Sequence, residues 1–524
     1  MELSKTLNVF KKFILFFLSL HILQIESQAS ENRHKVVIIG AGISGYSAAA
    51  RLIENGVEDI VILEAENRTG GRIHSVPYRD GFIDLGAQWV HGQDGNIIYE
   101  RFSNYFDFGD TGFDFADYYF HQSDGVSLNQ NHTTMLDNLA NEVLWNSFDR
   151  MVHYGGSFGS FFERFYTKGL MNQKFINVPW ALAHQMQDYH HNRVNTYFGT
   201  TSWFDISAQI MAAQGTKTGS NWLTWRQSGY KTVFDFITKK LPDPSQYLDV
   251  ESKIQLNKEV TNIAWGDNLA IIKCADGSEY TADYVVFTAS HGVLRAHYES
   301  LFTPKLPDRK ILAIENIGYG SLEKIFLEFA IPFWPTDPNW VQYTILWSQE
   351  DINAVTGTDR EWLLDTRAFF KVDGFPNLLS AFFIGANIKD FEQFTGEKIA
   401  NDCMWLLERS LRKSLPRPIN VQRTQWITEK NFLGSYSILS MDTARNGVSP
   451  FDLAEPLFNS NRRPIIFFAG EATYFAFTGY TDGAMASGYL AADEILRHSH
   501  GNRNTFHKYL SLIILFYASL SIKI

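Results

Sequence analysis

The stretch that most constrains this chain runs from Lys35 to Glu64. It begins with Val36-Val37-Ile38-Ile39, an apolar run with the length and composition of a fully buried parallel strand. Next come Gly40-Ala41-Gly42-Ile43-Ser44-Gly45 and an Ala-rich segment through Ile53 that reads as a helix. Asn55-Gly56 ends that helix, because glycine takes the left-handed cap at no steric cost. A second apolar run, Ile60-Val61-Ile62-Leu63, closes on Glu64. Strand, glycine-rich turn, helix, strand and acid, in that order, form a dinucleotide-binding fingerprint. Gly40 permits the tight turn, Gly42 lets the backbone approach a pyrophosphate, and Gly45 lets the helix pack against its strand. The helix N-terminus offers N–H groups and a partial positive charge to phosphate, and Glu64 can accept hydrogen bonds from ribose hydroxyls. The glycines alone would be weak evidence. With both strands and the acid in place, a nucleotide site is the expectation.

A chain of 524 residues is too long for one core and suggests two domains, interleaved or in series. Hydrophobic content of 45% and charged content of 20% are globular values, and 42 Phe suit a large core or an aromatic-lined cavity. A net charge of -11 argues against nucleic acid as a partner and is compatible with a small cationic substrate. At the N-terminus, Lys5, Lys11 and Lys12 precede an apolar run from Phe13 to Leu23, and Ser27-Gln28-Ala29 offers small residues for cleavage. Residues 1–29 therefore read as a secretory signal peptide. Sequons at Asn67 and Asn131 fit that route, Asn67 being the more enclosed if it lies in the nucleotide loop. The two cysteines, Cys274 and Cys403, fall on what read as a strand and a helix; buried thiols are expected, and no metal site is available from them. At the C-terminus, residues 499–524 combine small residues, a polar spacer and an apolar run from Tyr509 to Ile522. That is the pattern of a GPI-attachment signal, which would tether the protein to the outer cell surface; a tail packed on the domain or left disordered fits equally well.

Along the chain, residues 106–120 interleave Phe and Tyr with Asp107, Asp110, Asp114 and Asp117. They read as a solvated acidic face with its aromatics in the core, or as a route for cations. Leu136 to Gln187 is helical in pattern, and a helix is expected over Thr232–Leu241. Ile254–Leu256, Val260–Ala264, Ala270–Cys274 and Asp283–Thr288 read as a meander whose last strand rejoins the dinucleotide sheet. Leu306-Pro307 marks an exit to a second domain, in which Lys324–Phe329 alternates like a strand and residues 397–413 form an amphipathic helix. The chain returns near Gly434, with a buried strand at Ile465–Phe468 and a helix from Gly483 to Leu496 whose N-terminus faces the nucleotide.

These segments together carry a resemblance. GAGISG with Glu64, then Gly70-Gly71-Arg72, GAQWVHG, KIFLEF, FFAGEAT and GYTDGAMASG recur in register. From about Lys35 to Arg497 the chain resembles the flavin-dependent polyamine oxidases of the wider monoamine oxidase superfamily. The resemblance implies an α/β and α+β architecture, a Rossmann-like FAD-binding domain (35–112, 220–318 and 434–498) interleaved with a mixed-sheet-plus-helices substrate domain (113–219 and 319–433). It implies that Gly40, Gly42, Ser44, Gly45, Glu64 and Arg72 bind the ADP and pyrophosphate of FAD. By the same resemblance Val260 contacts the adenine, Glu471 bonds the cofactor near its ribityl chain, and Gly86, Ala87, Trp89 and Tyr480 lie around the isoalloxazine. Lys324 matches the lysine that holds a water against flavin N5. His91 matches a position that orients the amine or accepts its proton. Tyr436 and Tyr480, with Gly479 beside them, match the aromatics that flank the substrate. The cysteine used for covalent flavin in monoamine oxidases would fall near Ser435, so noncovalent FAD is expected. A second acidic residue found in plant enzymes has no clear counterpart in Tyr197–Asp205.

The implied reaction is hydride transfer from the carbon beside a polyamine nitrogen to flavin N5, with dioxygen as co-substrate and an aldehyde, an amine and hydrogen peroxide as products. Two alternatives stay open: an oxidase of other primary amines or of L-amino acids, and an inactive secreted flavoprotein with a binding role. The L-amino acid reading calls for an arginine that grips the substrate carboxylate.

Overall fold

In a computed structural model of the chain, which describes residues 32–111, 119–214, 217–337, 340–385 and 388–499, the apolar runs lie at the centre of a nine-stranded sheet. Arg33–Ile39 pairs in parallel with Ile60–Leu63 on one side and with Glu279–Phe287 on the other. Val36, Val37 and Ile38 have no exposed surface, as strands covered on both faces require. Glu279–Phe287 is shared along its length. Its first half pairs with Ala270–Cys274 in antiparallel fashion, and its second half pairs in parallel with Pro464–Phe468. The expected meander is therefore partly corrected. Val260–Ala264, Ala270–Cys274 and Glu279–Phe287 are successive neighbours, but Ile254–Gln255 crosses to the opposite edge and pairs with Ile60–Leu63.

One face of this sheet is covered by two long helices packed on each other, Ile43–Glu54 and Thr481–Ser499. Small residues set their closeness: a side chain built on Gly488 would lie 2.2 Å from the carbonyl oxygen of Ser44. Gly56, at φ +80°, follows the first of these helices and closes it. The helix expected over Thr232–Leu241 is shorter, ending at Ile237, and Lys239 then takes a left-handed φ of +59°. Leu306-Pro307 is not an exit: it starts the helix Asp308–Asn316, whose Ala313 and Ile314 pack into the core on the other face of the same sheet, with Val37 and Ile39. The crossing comes later, where Gly318–Gly320 pairs with Tyr436–Ile438.

A second sheet of six strands has the order Asn420–Arg423, Glu323–Glu328, Phe375–Phe383, Thr366–Val372, Gln342–Leu346, Phe120–Gln122. Glu323–Glu328 is buried through its first five residues, so its alternation separates two buried faces rather than core from solvent. Ile325 and Leu327 pack behind the sheet and Phe326 packs with Tyr78 and Phe375. A separate aromatic-rich core joins the helices Gln130–Trp145, Phe158–Leu170 and Trp180–Phe198.

Asp107 is exposed and pairs with Arg226, while Phe106 and Phe108 pack on Trp225, which makes that part of the acidic–aromatic stretch a solvated face over a core. Asp114 and Asp117 lie outside the described residues, as do the expected leader and the tail beyond Ser499. Among the described residues no helix is long and apolar enough to cross a membrane. Asn67 and Asn131 are both exposed, so Asn67 is not the enclosed residue expected of it. Cys274 and Cys403 are free and buried, one in the core of each sheet.

Candidate active site

The glycine-rich turn opens onto a cavity of about 850 Å³ that runs from the large sheet to the second one. Gly40 has φ +104°, and a Cβ there would lie 2.6 Å from Thr288 Oγ1. A Cβ on Gly45 would lie 2.1 Å from the Gly40 carbonyl oxygen, so the helix starts hard against its turn. At Gly42 the same construction meets no atom within 4 Å. Gly42 is also the N-cap of Ile43–Glu54 and supplies no side-chain cap, which leaves first-turn N–H groups for an anion. Glu64 braces the turn: its carboxylate accepts the Ala41 N–H at 2.7 Å and the Glu66 N–H at 2.8 Å. Burial pushes the Glu64 pKa up, and those amides oppose the shift. A carboxylate has about four lone-pair sites, so capacity for ribose hydroxyls remains.

Arg72 holds two ends of the chain together. Its guanidinium donates to the Ser435 carbonyl at 2.7 Å and to Glu471 at 2.9 Å. Glu471 in turn accepts from the backbone and hydroxyl of Ser437, both at 3.1 Å. With Glu471 almost fully buried, deleting either charge would cost about 3–5 kcal/mol.

Further along the cavity, Lys324 is buried on Glu323–Glu328. Its ammonium donates to the carbonyls of Asp84 (3.1 Å) and Gly86 (2.6 Å) and to Gln88 Oε1 (2.9 Å), and it lies 4.9 Å from the Phe382 ring centroid. Desolvation drives its pKa well below the usual lysine range, opposed by the Asp84 charge. Gln88 is a functional partner that sequence reasoning passed over, although it stands inside the GAQWVHG segment.

His91 faces the cavity among Trp89, Trp222 and Tyr480, whose ring centroids lie 5.4–6.3 Å away. Burial, and then the positive charge of Lys217, lower its pKa to about 3. The imidazole is neutral at pH 7 and a poor proton acceptor, so of its two expected roles only orientation suits it. Tyr436 donates its hydroxyl to the Thr196 carbonyl at 2.8 Å, and burial pushes the pKa of Tyr436 and of Tyr480 far up, keeping both phenols neutral. Gly479 takes φ +89° between them.

Of the residues singled out from the sequence, Gly40, Gly42, Ser44, Glu64, Arg72, Gly86, Ala87, Trp89, His91, Val260, Lys324, Tyr436, Glu471, Gly479 and Tyr480 all line this one cavity. Gly45 does not; its part is the close approach to Gly40. Asp205 does not line it either, whereas Tyr197 does. Lys217 was not foreseen: it is buried, pairs with Asp482 at 2.7 Å and lies 3.9 Å from the Phe477 centroid and 4.8 Å from that of Tyr480. No motif surrounds it, and only the distant Asp482 in GYTDGA hints at a partner. Neither cysteine lines the cavity, so no thiol is at hand for a covalent flavin link.

A dinucleotide cradle that opens into an aromatic chamber with a buried lysine defines a cofactor-dependent redox enzyme. The open turn at Gly42, the uncapped helix and the Arg72–Glu471 pair fit the phosphates and polar chain of such a cofactor. The chain belongs to the flavin containing amine oxidoreductase family, whose pattern matches residues 43–496, and its cofactor is FAD. It is 26% identical over 496 residues to the peroxisomal N(1)-acetyl-spermine/spermidine oxidase of Homo sapiens, covering 88% of this chain and 94% of that one. It is 26% identical over 505 residues to polyamine oxidase 1 of Zea mays, covering 94% and 96%. Among solved structures, a double mutant of putrescine oxidase made to redesign its cofactor binding has a TM-score of 0.64 at 16% identity, over 88% of this chain and 99% of that one. That likeness is one of fold.

Proposed function

We propose that this amine oxidase acts on polyamines: spermine, spermidine or an acetylated derivative. The observation that carries the reading is that Lys324, His91, Tyr436 and Tyr480 line the same cavity as the dinucleotide turn. The names of relatives that span most of the chain support the substrate class. FAD, when bound, would supply the redox chemistry as acceptor of a hydride from the carbon beside the nitrogen, with dioxygen as the final oxidant and hydrogen peroxide its product; water would hydrolyse the resulting imine to an aldehyde and an amine.

The chain's own residues prepare the amine for that step. The faces of Tyr436 and Tyr480 attract a cation as it enters and exclude water once it is bound. An amine that reacts must be neutral, and desolvation in this aromatic chamber favours the neutral form. Neutral His91 offers one ring nitrogen as acceptor for an amine N–H and so fixes which hydrogen-bearing carbon faces inward. Lys324, with its pKa depressed by burial, can take up and release a proton at Nζ near neutral pH, and its three acceptors hold that atom in place.

The test is an anaerobic titration of the flavin absorbance of purified holoprotein with a panel of these amines, followed by peroxide detection in air. Bleaching by polyamines and not by L-amino acids is expected. A flavin that stays oxidised with every polyamine would reject the reading.

A further inference from the structure

Several charged groups of the cavity have no part in the reaction above. Arg367 lines it from a β-bulge in Thr366–Val372, where Thr366 pairs with Phe383 and Phe369 with Ala381. Lys217 is set more tightly, and its surroundings are those that recognise an ammonium. Its Nζ lies 2.7 Å from the Asp482 carboxylate, 3.9 Å from the centroid of Phe477 and 4.8 Å from that of Tyr480. A carboxylate and two aromatic rings around one cation form a binding site for an alkylammonium ligand. Lys217, Phe477 and Tyr480 line the cavity, whereas Asp482 is buried and meets it through Lys217. Tyr480 is also one of the two rings beside the reacting amine, so this cage and the reaction chamber share a wall.

The cage and its cation come from different stretches of chain. Lys217 arrives on the segment that pairs with the His91 loop: the Gly92 N–H donates to the Ser220 carbonyl at 3.0 Å and the Gln93 N–H to the Thr218 carbonyl at 2.7 Å. Gly92 makes room for its stem, since a Cβ there would lie 2.3 Å from the Lys217 Cβ. Phe477 and Tyr480 precede the helix Thr481–Ser499, and Asp482 stands in its first turn. Burial raises the Asp482 pKa, and Lys217, then the first-turn amides of Asp482 and Gly483, oppose that. The carboxylate therefore has partners in its own helix, and the cage is complete without Lys217. Lys217 is its guest.

A tethered guest acts at an effective concentration of about millimolar or above, so a free ammonium does not readily displace it. A polyamine nitrogen brought against this wall meets a cation and is accommodated there uncharged, the state that the reacting nitrogen must have. The charged nitrogens of the same substrate extend away from the wall.

We propose that Phe477, Tyr480 and Asp482 form an ammonium subsite of the substrate cavity that Lys217 occupies, which makes Lys217 the residue that sets how many charged nitrogens the cavity accepts. This rests on the polyamine reading of the same cavity and deepens it. The test uses purified holoprotein and n-propylammonium, the fragment that Lys217→Ala removes. Affinity is read from the perturbation of the oxidised flavin's spectrum and from the rise in melting temperature. Propylammonium should bind Lys217→Ala at least about tenfold tighter than the wild type, and adding Asp482→Asn should abolish the gain. In Lys217→Ala the affinity for spermine relative to spermidine should also rise, by about tenfold, because spermine brings one more ammonium. Propylammonium binding no tighter to the variant, a gain that survives Asp482→Asn, or an unmoved spermine-to-spermidine ratio would overturn the proposal. If Lys217→Ala does not fold, Lys217→Met with the ammonium ion decides it, since that substitution removes the terminal group and keeps the stem: saturable binding that Asp482→Asn abolishes is expected, and its absence overturns the proposal. If no polyamine reduces the flavin, the amine-oxidation reading fails, while the propylammonium arm still tests the subsite.

Discussion

At Lys324 one ammonium meets three acceptors, two of them backbone carbonyls of the segment that also carries Gly86 and Trp89. The side chain thus couples the second sheet to the reaction chamber as well as offering a proton. Lys324→Met keeps the volume and removes both functions. Losing the donors leaves buried acceptors unmet, at about 1–3 kcal/mol of stability, whereas the dinucleotide turn is not touched. Holoprotein with normal flavin content but flavin rates lowered about 10²–10⁴-fold in stopped-flow traces is the expected result; unaltered rates would remove Lys324 from the chemistry. The residues around it differ in how legible they are. Gly40 and Gly45 can be read from sequence because a positive φ or a backbone contact admits only glycine there. Lys217 and Arg367 cannot, since one is defined by a tertiary ion pair and the other by a bulge, and neither leaves a local pattern.

The strand Glu323–Glu328 shows the same division at the scale of an element. Its apolar alternation identifies a strand, yet nothing in KIFLEF announces that both faces are buried or that Glu323 is an anchor. Glu323 has no exposed surface. Its carboxyl accepts the Trp426 N–H at 2.8 Å and bonds Thr424 Oγ1, which itself accepts the Lys324 N–H at 2.7 Å. Glu392, almost as buried, clasps the next two backbone amides, Ile427 and Thr428. Burial raises the pKa of Glu323 to about 9, the Thr424 hydrogen bond opposes that, and Glu392 adds to it. The folded state therefore keeps a proton that the unfolded chain has released above the ordinary glutamate range. Stability should fall as pH rises between that range and about 9, with a slope approaching about 1.4 kcal/mol per pH unit for the one proton. Glu323→Gln imitates the protonated form and should flatten that dependence in melting experiments from pH 5 to 9. A wild-type profile no steeper than the variant's would show that Glu323 ionises in place.

Over the whole molecule, the two sheets are built from interleaved stretches of chain, and their order can be inferred from paired N- and C-terminal motifs more readily than from periodicity. What the motifs do not reveal is which contacts tie the two sheets together beside the cavity. Gly318–Gly320 pairs with Tyr436–Ile438, and Arg72 ties Ser435 to Glu471; both junctions border the cavity. The lining draws on the dinucleotide turn, the strand of Lys324, the segment from Asn431 to Leu439 and the helix start at Thr481. A ligand that touches all four acts as a joint, and one that binds only the folded state adds about 2.7 kcal/mol at a hundredfold excess over its Kd. Stripping FAD should therefore lower the melting temperature and, in hydrogen exchange, release the amides of residues 40–45, 64–72, 431–439 and 470–484 together. The aromatic core around Trp362, none of whose residues lines the cavity, should keep its protection. Deprotection confined to the glycine-rich turn would mean that the cofactor is held by one domain alone, and that the chamber forms without it.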